Sequence, residues 1–197
     1  MLFNSIEFFI FLPTVYTLYW YLLNDRLNEQ NLLLLCSSYF FYGWWDWRFL
    51  SLIIFSTSVD YMIGLKIHNS TSSNARLNYL KFSIFVNLMI LVIFKYFNFF
   101  IESFIDLFNL FPFHDSEVLI LNIILPIGIS FYTFQTMSYT IDIYFKKLKP
   151  TSSFVCFACF VSFFPQLVAG PIERAKRLLP QILNPRVYSK NSLILGL

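Results

Sequence analysis

Charge is what this sequence has least of. Lys, Arg, Asp and Glu make up 13% of its 197 residues, about half the roughly 25% of a soluble domain. That scarcity, set beside 57% hydrophobic residues, excludes an ordinary soluble globule and points to an integral membrane protein. The net charge of +3 is small and scattered, which argues against nucleic acid as a partner. Cysteine occurs three times, at Cys36, Cys156 and Cys159, each inside an apolar run, so a disulfide scaffold is not expected. No basic residue precedes the first apolar run and no small-residue cleavage pattern follows it. A secretory signal needs both, so the run is read as a retained helix.

What the chain has is aromatic and apolar length, with 26 Phe and 12 Tyr. A transmembrane helix needs about 20 apolar residues; Ile6–Leu23 qualifies, and Asn31–Trp45, Phe49–Ile67, Phe82–Phe100 and Leu119–Tyr144, the last bent at Pro126 and Gly128, are read as the spans that follow. Trp44, Trp45 and Trp47 fit an aromatic belt, with Asp46 and Arg48 in water. Ile101, Phe104, Ile105 and Phe108 share one helical face opposite Glu102, Ser103, Asp106 and Asn109, the pattern of a helix lying in the interface. No repeat or linker divides the chain. The expected fold is all-α: a polytopic integral membrane protein of about five transmembrane helices, with a re-entrant segment and interfacial amphipathic helices, forming a single domain over residues 1–197.

Loop charge orients these spans. Lys66, Arg76 and Lys81 follow the third, Lys146, Lys147 and Lys149 follow the fifth, and Glu102, Asp106, Asp115 and Glu117 lie between the fourth and fifth. The positive-inside rule places both basic loops in the cytoplasm and the N-terminus outside. Phe154–Ala169 is then awkward, because Arg174, Lys176, Arg177, Arg186 and Lys190 follow it. A crossing would carry them outside. The run has only sixteen residues and is broken by Pro165 and Gly170-Pro171, so a re-entrant segment is expected. Irregular backbone at membrane depth lines a cavity or is buried in protein. Leu178, Leu179, Ile182 and Leu183 fall opposite Arg174, Lys176 and Arg177, as in a basic amphipathic helix on the inner leaflet. "SLILGL" at Ser192–Leu197 reads as the start of another helix.

Few residues could carry chemistry. Cys156-Phe-Ala-Cys159 has a C-x-x-C spacing but no further soft ligand nearby, so the two are read as small apolar residues on one helix face, and no metal site is expected. His68 and His114 lie in polar loops and are read as solvated. Asn69-Ser70-Thr71 fits a glycosylation triplet but faces the cytoplasm in this topology. Asp60 and Asp142 lie within apolar spans, where ionisable groups either hold helices together or line a substrate path. Ser130, Thr133, Gln135, Ser138 and Asp142 form a polar ladder that reads as an inward-facing wall. A transporter, a channel or a membrane enzyme could use such a wall.

"NLLLLCSSYFFYGWWDWRFL", "VDYMIGLKI", "FKYFNFF", "LPIGISFYTFQTMSYTIDIY" and "FFPQLVAGPIER", in that order, resemble the membrane-bound O-acyltransferase family, in particular its bacterial alginate O-acetyltransferase type. The resemblance implies acetyl transfer from a cytoplasmic donor, acetyl-CoA as substrate with no resident cofactor, to hydroxyls of an envelope polysaccharide across the plasma membrane. An extracytoplasmic acetyl-transfer protein could receive the group instead, and membrane lipid surrounds the chain. Candidate substrate-path residues are Ser130, Gln135, Asp142, Gly170, Pro171 and Arg174. The family's catalytic histidine lies downstream, and neither His68 nor His114 matches it, so no catalytic residue is assigned and the chain is expected to be an N-terminal portion, inactive alone. D-alanyl transfer to teichoic acid, or a non-catalytic scaffold or channel, are the alternatives.

Overall fold

A computed structural model describes residues 4–96, 99, 100, 103, 128–170 and 173–186, with side chains left aside at 167–169. The interfacial pattern at 101–109 (apart from Ser103), His114, Pro126, Pro171, Lys190 and the terminal Ser192–Leu197 lie outside them. Every regular element among the described residues is helical.

Ser5 opens helix α1, Ile6–Thr17, by accepting the Phe8 N–H on its hydroxyl, a standard N-cap. Pro13 inside it brings no N–H, and the run continues through a π-helical turn at Leu18–Leu22. Helix α2 covers Leu27–Gly43 and begins one turn earlier than the apolar pattern alone indicates. A 3₁₀ turn at Trp47–Phe49, capped by Asp46, leads into α3, Leu50–Asn69. Asp46 accepts both the Arg48 N–H and its guanidinium, at 2.9 and 2.7 Å. These contacts hold the Asp46 carboxyl below its usual range.

Helix α4 runs Ser73–Leu91, capped by Ser72, and a π-helical turn at Val92–Tyr96 extends it. Sequence reading starts this span at Phe82. The preceding polar residues are helical as well, because Ser72 caps and residues 73–81 include good helix formers. Trp47–Asn69 and Ser73–Tyr96 are each long and apolar enough to cross a membrane. At 1.5 Å per residue their 23 and 24 residues reach about 35 Å, against roughly 30 Å of hydrocarbon.

Gly128, at φ 78°, turns the chain into α5, Ile129–Tyr144, in a backbone region that suits glycine. Helix α6, Phe154–Ser162, is capped by Ser153 and stops at Phe163, whose ψ of 106° is not helical. The chain restarts as α7, Phe164–Ala169, with Pro165 in its first turn, where a missing N–H leaves nothing unbonded. Helix α8, Ala175–Leu183, follows. Helices α3, α4 and α5 form a three-helix unit, α6 packs on α2 and α3, and α8 packs on α6 and α5. The core they share is aromatic: Tyr132, Tyr139, Phe157 and Phe160 are fully buried. Gly64 lets α3 approach closely, since a Cβ there would lie 2.8 Å from the Tyr139 ring and 3.0 Å from Ile143.

Candidate functional site

Three apolar helices each bring a polar pair at i, i+4 to one place. These are Ser56 and Asp60 on α3, Ser83 and Asn87 on α4, and Thr136 and Thr140 on α5, all buried. Asp60 accepts from Ser83 Oγ at 2.6 Å and from Asn87 Nδ2 at 2.7 Å. The Asn87 carbonyl accepts from Ser56 and Thr136 at 3.2 Å each. Ser83 and Thr140 share a hydrogen bond at 3.0 Å. Of the two roles open to Asp60, the geometry assigns helix-to-helix bonding, with each carboxylate oxygen held by a donor. Sequence reading found Asp60 but missed its partners Ser83 and Asn87 on α4, and Thr136 and Thr140 that bond to those two from α5. Their i, i+4 spacing within apolar runs is the signal that could have found them.

Of the residues read as a substrate path, Ser130 and Asp142 lie towards opposite ends of one helix, in the first turn of α5 and near its end, which puts them about 18 Å apart along the axis. Gln135 points into protein, its amide donating to the Phe160 carbonyl of α6 at 2.8 Å. Thr133 and Ser138 return their hydroxyls to their own helix, at Ile129 O and Gln135 O. Asp142 is nearly buried, and its backbone carbonyl accepts from Lys147 and Leu148. Its carboxylate has no hydrogen-bond partner among the described residues, so the helix bonding expected of it is not found there. Gly170 closes the end of α7, where a Cβ would lie 2.9 Å from the Gln166 Cα. Arg174 is exposed at the N-cap of α8, and Pro171 lies outside the described residues.

The broken run has a defined geometry beside α2. Near its start Cys156 Sγ lies 3.4 Å from Asn31 Nδ2. At the break, Phe164 N–H donates to Ser38 Oγ at 3.2 Å. Helix α8 then brings the Ile182 carbonyl back to the same Asn31 amide, at 3.0 Å. Seven residues of α2 separate Asn31 from Ser38, about 10 Å of rise. The segment thus runs along α2 from Asn31 to Ser38 and returns to Asn31. Helix α8 turns Leu179 and Ile182 into the protein core, with Arg174, Lys176 and Arg177 exposed. Its apolar face therefore covers protein where sequence reading places it on lipid. Leu183, read as part of that face, is 40% exposed.

A cavity of about 330 Å³ opens between the first helix and this hairpin. Leu12, Val15, Tyr16 and Tyr19 line one wall, Phe163 to Pro165 the break, and Leu178, Gln181 and Ile182 the other wall. Arg186 stands in its lining. The π-helical turn leaves the Tyr19 carbonyl to accept from Gln30 Nε2 at 3.2 Å, and such turns recur at functional positions. Sequence reading expects the broken run to border a cavity, and Phe163 to Pro165 do so; it does not find the facing wall, whose residues lie more than 140 positions away. His68 is exposed in the last turn of α3, a favourable place for a cation, and contacts no part of it. Among the described residues no group of three metal-type side chains exists.

A broken apolar hairpin held by buried polar contacts places the chain among helical proteins that admit irregular backbone into an apolar interior. Over its whole length it is a homologue of bacterial O-acetylases. It is 40% identical over 198 residues to the probable alginate O-acetylase AlgI of Pseudomonas aeruginosa, with all of this chain covered and 37% of that protein. The protein of the same name from Azotobacter vinelandii is 40% identical over 201 residues, again covering the whole chain and 38% of the relative. A peptidoglycan O-acetyltransferase of Helicobacter pylori is 31% identical over 226 residues, covering the whole chain and 42% of its own length. The chain thus spans less than half the length of these curated relatives. No family model matches, and no solved structure does.

Proposed function

We propose that the chain is the N-terminal part of a multi-pass membrane O-acetyltransferase that moves an acetyl group to hydroxyls of an envelope polysaccharide. The observation that carries this is the chain-long similarity to relatives named for two different acceptors, alginate and peptidoglycan. What they share is O-acetyl transfer to a glycan, and that shared chemistry favours acetyl over D-alanyl as the group moved. Acetyl-CoA is the donor in this reading. It enters from the cytoplasm, and the acceptor is the polysaccharide or an extracytoplasmic protein that passes the group on.

Five spans in a single membrane domain, with the N-terminus outside and the loops at Lys66–Lys81 and Lys146–Lys149 inside, complete the topology. The return of the hairpin from Ser38 to Asn31 supports re-entry from the cytoplasmic side. Ser130, Gln135, Asp142, Gly170, Pro171 and Arg174 remain the proposed path, with Asp142 the strongest of them because its carboxylate binds no neighbour among the described residues. Acyl transfer to a hydroxyl needs a base, and His68 is exposed at the end of α3 and does not line the cavity described. Alone, this chain should not acetylate.

The test is deletion of the gene followed by complementation with this chain or with a version extended to the relatives' length. Acetylated envelope polysaccharide should return only with the extended form. Its return with this chain alone would overturn the proposal. Thiol labelling of a cysteine placed at Arg186 should report the cytoplasmic side, and labelling from outside would remove the re-entrant reading.

A further inference from the structure

The cavity beside the hairpin is apolar along its walls and carries one fixed positive charge. Tyr16, Leu34, Phe163 and Leu178 supply the apolar lining. Among the described residues the Arg186 guanidinium is anchored by neutral groups: the Tyr19 hydroxyl, Asn31 Oδ1 at 2.6 Å, and the carbonyls of Gln181 and Ile182 at 2.9 and 3.1 Å. It also lies over the Tyr19 ring, 5.6 Å from the centroid. The ion pairs among the described residues are Arg26–Glu29, Arg48–Asp46 and Arg177–Glu173, and Arg186 is in none of them. A cation held rigidly with no counter-charge among the described residues, beside an apolar cavity, calls for an anion that brings an apolar tail.

We propose that this cavity is a binding site for an anionic phospholipid, the phosphate resting on Arg186 and one acyl chain lying between Tyr16 and Leu178. The inference rests on the membrane location proposed above. The volume is near the lower bound of the roughly 300–1,000 Å³ of ligand pockets, enough for part of one acyl chain. A guanidinium pairs well with a phosphate, and basic pockets between membrane helices on the cytoplasmic side hold anionic headgroups. A single cation above an apolar slot suits one phosphate on a hydrocarbon stem better than a nucleotide with several negative charges. The bound lipid would wedge the first helix against the hairpin and fill the space between them.

Native mass spectrometry of the full chain in a neutral detergent tests this, with phosphatidylglycerol and phosphatidylcholine of the same acyl chains offered at equal concentration. Phosphatidylglycerol should be retained at one copy, roughly fivefold over phosphatidylcholine, the discrimination of about one basic residue near a headgroup. Arg186→Gln should erase that preference and Arg186→Lys keep part of it. Leu178→Trp fills the cavity without touching the Arg186 bonds, so it should abolish retention even where Arg186→Gln impairs folding. Equal retention of the two lipids, retention untouched by Leu178→Trp, or displacement by acetyl-CoA would each overturn the site. Alkaline extraction of membranes reads the location separately. A chain that resists extraction but shows no lipid preference keeps the membrane reading and loses the pocket. One that is extracted yet retains phosphatidylglycerol through Arg186 does the reverse.

Discussion

Asn87→Ala should unfasten the three-helix unit, and the loss can be worked from its bonds. The side chain is 1% exposed. It makes three contacts between helices, to Asp60, Ser56 and Thr136, and one within its own helix, to Ser83 O at 3.0 Å. Interhelical hydrogen bonds in membrane proteins average about 0.6 kcal/mol each, with maxima of 1–2 kcal/mol. Three such bonds give about 2 kcal/mol. Leaving an Asp60 oxygen and the Ser56 hydroxyl short of a partner adds on the order of 1–2 kcal/mol, for a total of roughly 3–4 kcal/mol; Thr136 keeps its bond to Thr133 O. At about 2–4 °C per kcal/mol for a chain of this size, the midpoint should fall by about 6–16 °C.

Cys156 and Cys159 are buried and Cys36 is exposed, so a thiol-reactive dye on a Cys36→Ser background reports unfolding through the two buried thiols. Asn87→Leu separates bonding from packing, since it restores volume and no hydrogen bond. It should melt no higher than the alanine variant. If leucine recovers the parent midpoint, or if alanine leaves it unmoved, the polar knot does not hold these helices together.

Gly64→Ala should destabilise by about 1–3 kcal/mol through overpacking against Tyr139 and Ile143, read by the same dye; an unchanged midpoint would mean that the rings yield freely. Asp142→Asn keeps the shape of a side chain that bonds no helix among the described residues, so melting should stay within about 2 °C, the range of a substitution outside any bonded network. A fall well beyond that would reveal a structural partner. Asp46 has a depressed carboxyl pKa in the folded chain, so its contribution is present above the ordinary value of 3.8 and lost as pH falls through the folded value. Tryptophan emission from Trp44, Trp45 and Trp47 should therefore change in acid, and Asp46→Asn should remove that transition. An identical titration in the variant would assign it elsewhere.

The break at Phe163 to Pro165 was legible in the sequence because proline and an unsatisfiable charge balance both speak locally. So was the polarity of Asp60, which stands out in an apolar span. Its partners were not singled out, since serine, threonine and asparagine in a helix can return their bonds to their own backbone, as Thr133 and Ser138 do. Only packing distinguishes those that do from Ser83 and Asn87. The orientation of Gln135 was equally hidden, because a glutamine facing a cavity and one reaching a neighbouring carbonyl have the same helical position. The cavity around Arg186 was furthest from view. Tyr19 and Arg186 are 167 positions apart, and no local pattern around either residue announces that they meet.

Asn31 has a consequence for how the protein is made. Its amide bonds Cys156, 125 residues later, and Ile182, 151 residues later. Chains emerge at roughly 5–20 residues per second, so the Asn31 amide waits about 6–30 s for these partners. Ser38 waits about as long for Phe164, 126 residues on. During that interval α2 sits with polar groups that an apolar surrounding penalises by a few kcal/mol each. The arrival of the hairpin is therefore the event that satisfies them, and α2 reaches its final hydrogen bonding only when the last quarter of the chain is made.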